Sequence, residues 1–147
     1  MESNMSKKYM FVVLFIPLLL WQCSSGPSPR KTVLDFLEAV HKSDTTSISY
    51  YADLERMASD KLSNFSVEQK DRLLPIMKNN LLKNLVDSGV TRLWWENCLA
   101  VVGGEKRSKD KAEVEVTLID KKTGVRDYTK MKLYLDGNRW RVYYFEE

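Results

Sequence analysis

Along residues 29–88 apolar side chains recur every three or four positions, and after Gly89 they recur every second position. The first spacing is that of helices with one buried stripe, the second that of half-buried strands. Ser28 is a good N-cap and Pro29 a good first helical residue, so a helix is predicted to start there. Its stripe is Val33, Leu34, Phe36, Leu37 and Val40, and Lys42-Ser43-Asp44 ends it. A second, short helix is predicted over residues 48–59, with Tyr51, Leu54 and Ala58 inward. A third begins at Ser66, where Gln69 three residues on completes a capping box. Leu73, Leu74, Met77, Leu81, Leu82, Leu85 and Val86 line its broad apolar face. Pro75 predicts a kink or a new start inside it, and Gly89 a C-cap.

The second half reads as strands. Residues 91–104 suggest a strand that ends at Gly103-Gly104. On it Leu93, Trp95, Leu99 and Val101 form the more apolar face, which leaves Trp94, Glu96 and Cys98 outside. Residues 111–120 alternate, with Ala112, Val114, Val116 and Leu118 inward. Met131, Leu133 and Leu135 follow in the next strand, and Asp136-Gly137-Asn138 makes a tight hairpin turn. Trp140, Val142 and Tyr144 are inward on the last strand, which places Tyr134, Tyr143 and Phe145 outside among Lys132, Arg139 and Arg141. Helices first and an antiparallel meander of about four strands last predict an α+β domain with the helices on one face of the sheet.

Ahead of this domain the pattern is different. Lys7 and Lys8 precede an uncharged apolar run over residues 9–21, the length of a secretory h-region and short of the roughly twenty residues a membrane span needs. Cys23 follows, and then Ser24-Ser25-Gly26-Pro27-Ser28-Pro29, a flexible tether by composition. This segment resembles a bacterial lipoprotein signal, with Leu20 three residues before the cysteine and Trp21-Gln22 where that pattern has small residues. The resemblance implies cleavage before Cys23, lipidation of its thiol, and anchoring at the cell envelope, at the outer membrane in a Gram-negative cell. An uncleaved anchor and plain secretion are the alternatives. The expected organisation is a signal over 1–22, a tether over 23–29 and one domain over 30–147.

Composition narrows the function classes. The 147 residues hold 44% apolar side chains, enough for one packed domain. The 23 basic and 20 acidic residues leave a net charge of +3, too even to suggest nucleic acid as a partner. With one histidine, His41, a multi-histidine zinc site is excluded, and no metal-ligand spacing or cofactor motif occurs. Lipidation of Cys23 would leave Cys98 as a lone thiol.

A wider resemblance rests on four motifs. Pro29, Val33, Phe36 and Ala39 make an early P-x-x-x-V-x-x-F-x-x-A helix, followed by Ser43-Asp44-Thr45. A-x-V-x-V-T-L stands at Ala112 to Leu118, and G-x-x-W-x-V at Gly137, Trp140 and Val142. Together they resemble the small lipoprotein domains of unknown function in the nuclear-transport-factor-2-like (cystatin-like) superfamily. That resemblance implies a strongly bent sheet wrapped round the first helix, a cone with a pocket. Some members of the superfamily, such as ketosteroid isomerase and scytalone dehydratase, are enzymes, and many others only bind or scaffold.

The expected pocket lining is Phe36, Tyr51, Trp95 and Trp140. His41 suits a helix C-terminus, where its charge complements the dipole. Asp53 and Glu55 beside Tyr50 and Tyr51 would be proton-transfer candidates if buried, and surface carboxylates otherwise. Trp94, Tyr134, Tyr143 and Phe145 form an expected outer interface, through which a homodimer could form. The expected function is an anchored, non-catalytic domain for a small molecule, peptide or envelope protein. The alternatives are a small pocket enzyme of the ketosteroid-isomerase type and an accessory subunit of an envelope complex.

Overall fold

The computed structural model describes residues 28–146, so the signal, Cys23 and most of the tether lie outside the described residues. Helix α1, Pro29–His41, opens as expected: the Ser28 side chain accepts from the Lys31 N–H, and Pro29 sits in the first turn. Val33, Phe36, Ala39 and Val40 are buried, whereas Leu34 is exposed. Asp44 then caps α2, Thr45–Tyr51, through the N–H groups of Thr46 and Ser47.

The single helix expected over 48–59 is two helices. The chain breaks at Ala52-Asp53, where Ala52 bridges Val142 in parallel and the Asp53 N–H donates to the Val142 carbonyl at 2.7 Å. The Asp53 carboxylate then caps α3, Leu54–Lys61, by accepting from the Arg56 N–H. A free sheet edge competes here with helix continuation, and the cap satisfies the new helix start.

Helix α4, Val67–Asn84, carries the Ser66–Gln69 capping box and runs through Pro75 without a break. The surroundings of Pro75 are exposed, so water can take up the carbonyl its ring leaves unpaired. Gly89 is not the C-cap of this helix. Asp87 takes the left-handed turn at φ 48°, and Gly89, at φ −61°, starts α5, Val90–Glu96. The Ser43 hydroxyl accepts from the Asp87 N–H at 2.9 Å, which ties the ends of α1 and α4 together.

The strand expected from residue 91 is therefore helical over its first six residues, Thr91 to Glu96. Thr91 and Trp95, four apart, are its buried face, and Arg92 reaches Glu96 at 2.9 Å along the same turn spacing. Short apolar runs fit either period, and here the helix won. The strand begins only at Cys98, with its phase reversed: Cys98 is buried, while Leu93, Leu99 and Val101 are exposed.

Strands β1 (Cys98–Arg107), β2 (Lys111–Asp120), β3 (Arg126–Asp136) and β4 (Arg139–Tyr144) pair antiparallel in sequence order. Two register shifts, one between Val102 and Glu105 and one opposite Lys132/Leu133, bend the sheet. Its inner face holds Ala112, Val114, Val116, Leu118, Met131, Leu133, Trp140 and Val142, all buried. Helix α1 packs on that face against β1, β2 and β4, and α2 and α3 close the β4 side. The result is the α+β arrangement expected: helices on one face of a bent four-stranded antiparallel sheet.

Candidate functional site

Aromatic rings pack together inside the roll. Phe36 meets Trp95 edge-on at 6.0 Å, and Phe145 closes on both, at 6.2 Å from Phe36 and 5.3 Å from Trp95. Trp140 is buried in the same core. Three of the four residues expected to line a pocket are thus packing residues. Tyr51 is half-buried and borders a surface hollow of about 140 Å³ beside α1 and α2.

Of the four residues expected on an outer interface, two belong elsewhere. Trp94 is on α5, half-buried against the core, not on a strand. Phe145 is inward and Tyr144 outward, the reverse of strict alternation. The cause is the bulge in β4: Leu133 pairs with Val142 but Lys132 pairs with Tyr144, so Tyr143 is an extra residue and the phase flips after it. Tyr134 and Tyr143 do meet on the outer face, with rings 5.9 Å apart. The Arg56 guanidinium covers both, 4.1 Å from the Tyr143 ring and 4.8 Å from that of Tyr134.

Asp53 sits at the edge of this group. Tyr134 donates its hydroxyl to Asp53 Oδ2 at 2.5 Å, and an Arg141 Nη lies 4.0 Å from the same oxygen. Arg141 also donates to the carbonyls of Ala52 at 2.8 Å and Ser49 at 3.2 Å. Burial pushes the Asp53 carboxyl up, but the Tyr134 hydroxyl, the Arg56 N–H and the two arginines outweigh it and hold it below the usual range. Burial, and then Asp53, push the Tyr134 hydroxyl up. The pair thus joins β3 to the cap of α3, the Tyr134 hydroxyl donating to the same carboxylate that accepts from the Arg56 N–H. Glu55 is exposed and faces Lys78 at 3.5 Å, and His41 is exposed at the end of α1. Burial raises the Cys98 thiol, which keeps it a poor nucleophile.

Two concavities open on either side of Tyr143. One, of about 360 Å³, has Met57, Leu81 and Phe145 among its lining residues, together with Tyr143 and Tyr144 and the charged side chains of Asp60, Lys61 and Glu146. The other, of about 330 Å³, is bordered by Lys106, Arg107, Lys111 and Lys132, with Glu113 as its one carboxylate. Glu113 is engaged by Lys130 at 3.3 Å. The register explains the convergence: Lys106, Glu113, Lys132 and Tyr144 form one cross-strand row, and Lys111, Tyr134 and Arg141 the next. Nothing in the sequence alone singles out Lys106, Arg107 and Lys111 as site residues. Their signal is the mixed, net-basic stretch over residues 105–111, which reads as a solvated hairpin until pairing of β2 with β3 sets it on the sheet.

No family model matches this chain, and no curated protein matches it. A solved structure from Campylobacter jejuni, described provisionally as an NTF2-like transpeptidase, is similar over 78% of this chain and 97% of its own, at 15% identity and a TM-score of 0.47. A likeness of that degree transfers no activity and no residue roles. Among the described residues no helix is long and apolar enough to cross a membrane, and no group of acidic, histidine or cysteine side chains is placed to hold a metal.

Proposed function

We propose that the chain is an envelope lipoprotein, tethered through Cys23, whose domain is a non-catalytic binding module working through the concavities beside Tyr143. The observation that carries the binding half is that aromatic side chains pack together in the core, while two open concavities meet at Tyr143, one beside the outer row of the sheet and one between α3, α4 and the end of β4. A concave, partly apolar surface with convergent charged groups is what ligand recognition requires. The Asp53–Tyr134 geometry favours binding over pocket catalysis, because both groups are committed to holding α3 on the sheet edge. The anchoring half is supported by the order of segments in the sequence: a positive start, a short apolar run, Cys23, and a Ser/Gly/Pro tether. The test is the intact mass of the chain extracted from bacterial membranes. Wild type should begin at Cys23 and carry acyl mass, and Cys23→Ser should keep its leader without lipid. A mature chain that begins elsewhere, unlipidated, would refute the tether.

A further inference from the structure

We infer that the two concavities are one bipartite site for an anionic amphiphile, with a phosphate headgroup in the basic groove and an acyl chain in the apolar cleft. This rests on the binding-module reading and names its ligand class. Three observations support it.

The two hollows adjoin. Tyr143 lines both, and Lys132, on the wall of the groove, lies with its Nζ 4.6 Å above the ring of Tyr144, on the wall of the cleft. Each hollow falls in the size range of small-molecule sites, and a ligand that straddles Tyr143 would use both.

Next comes the charge. The groove collects Lys106, Arg107, Lys111 and Lys132 from three strands, and its single carboxylate, Glu113, already faces Lys130. Lys106 and Lys111 have no ion-pair partner among the described residues. Lys106 and Lys132 flank Glu113 in one cross-strand row and Lys111 stands in the next, so the cations outnumber the single carboxylate, an excess that a bound anion would offset.

Finally, the polarity sets a direction. Met57, Leu81 and Phe145 give the cleft apolar surface, and two of its charged residues, Asp60 and Glu146, are acids. With Lys61 as the one cation there against two acids, and three lysines and an arginine against one acid in the groove, an anionic head is favoured at the groove end. The tyrosine hydroxyl of Tyr143 makes no hydrogen bond to any described residue, which leaves it able to donate to a phosphate oxygen at the junction.

Native mass spectrometry of the full chain in dodecyl maltoside tests this with three probes: palmitoyl lysophosphatidylglycerol, monopalmitoylglycerol and glycerol 3-phosphate. The lysophospholipid should be retained one per chain, and the other two at least tenfold more weakly. Lys106→Gln with Lys132→Gln should cut lysophospholipid retention about tenfold, as for two partly exposed ion pairs, and leave the neutral monoacylglycerol unchanged. Lys111→Gln alone should produce a smaller loss in the same direction. Equal retention by wild type and the lysine variants would overturn the inference. So would glycerol 3-phosphate held as tightly as the lysophospholipid, although the binding-module reading would survive that result as a phosphate-ester site. A bare chain with every probe would remove both.

Discussion

The bulge in β4 can be read out as a reversal in stability. Phe145 lies just beyond β4, 9% exposed, with its ring against Phe36 and Trp95. Tyr144 beside it is 36% exposed and touches Lys132 from the outside. Removing a buried phenylalanine ring costs about 3–5 kcal/mol, in which the lost transfer energy and the cavity are both counted. Phe145 is near the chain end, where neighbours can relax into the space, so the lower limit, about 3 kcal/mol, is the expectation for Phe145→Ala. Tyr144→Ala loses a half-exposed ring and one cation–π contact, about 0.5–1 kcal/mol. With a urea slope of about 2 kcal/mol/M, Phe145→Ala lowers the midpoint by about 1.5 M and Tyr144→Ala by no more than about 0.5 M. The assay is urea unfolding of the two variants and wild type, followed by tryptophan fluorescence. Strict alternation through residue 145 predicts the opposite order. If Tyr144→Ala proves the more damaging variant, the flipped phase of the bulge is wrong, and the closed core with it.

Other outcomes follow from the same geometry. Asp53→Ala removes the α3 cap and leaves the Tyr134 hydroxyl without its acceptor, an expected loss of about 2 kcal/mol by thermal melting. Because the folded state holds the Asp53 carboxyl below its ordinary value, the unfolded chain takes up its proton first. The stabilisation is then present above pH about 4 and is lost as pH falls through the carboxylate range, and Asp53→Asn should flatten that slope in melts from pH 3 to 6. Pro75→Ala should raise stability by about 2 kcal/mol in urea unfolding, since the helix already runs through this exposed position and gains a bond there. Gly89→Ala should lower the melting temperature sharply, because a Cβ there runs into the backbone carbonyls of Lys83 and Asn84 and neither can swing aside.

Much of this molecule is legible without coordinates, for a local reason. The starts of α1 and α4 are set by Ser28-Pro29 and by Ser66 with Gln69, side chains that satisfy the first N–H groups within one turn. The inward faces of β2 and of most of β3 follow from alternation, because pleating sends neighbours to opposite sides. What failed depended on distant chain. Residues 48–59 are a uniform helix until the edge of β4 captures Ala52 and Asp53. Residues 90–96 carry a pattern with two readings, and packing of Trp95 against Phe36 and Phe145 chose the helix. The phase of Tyr144 and Phe145 turns on one inserted residue that only pairing with β3 reveals. The candidate site is of that second kind. Tyr143 and Lys132 are visible as an aromatic and a cation, but the groove exists because strand pairing aligns Lys106 and Lys132 across Glu113 with Lys111 in the next row, and the cleft because α3 lays Met57 against the end of β4. Sequence determines which residues can cap, alternate and bury. Only tertiary pairing decides which charges end up together, since charge on a solvated strand face carries no period of its own.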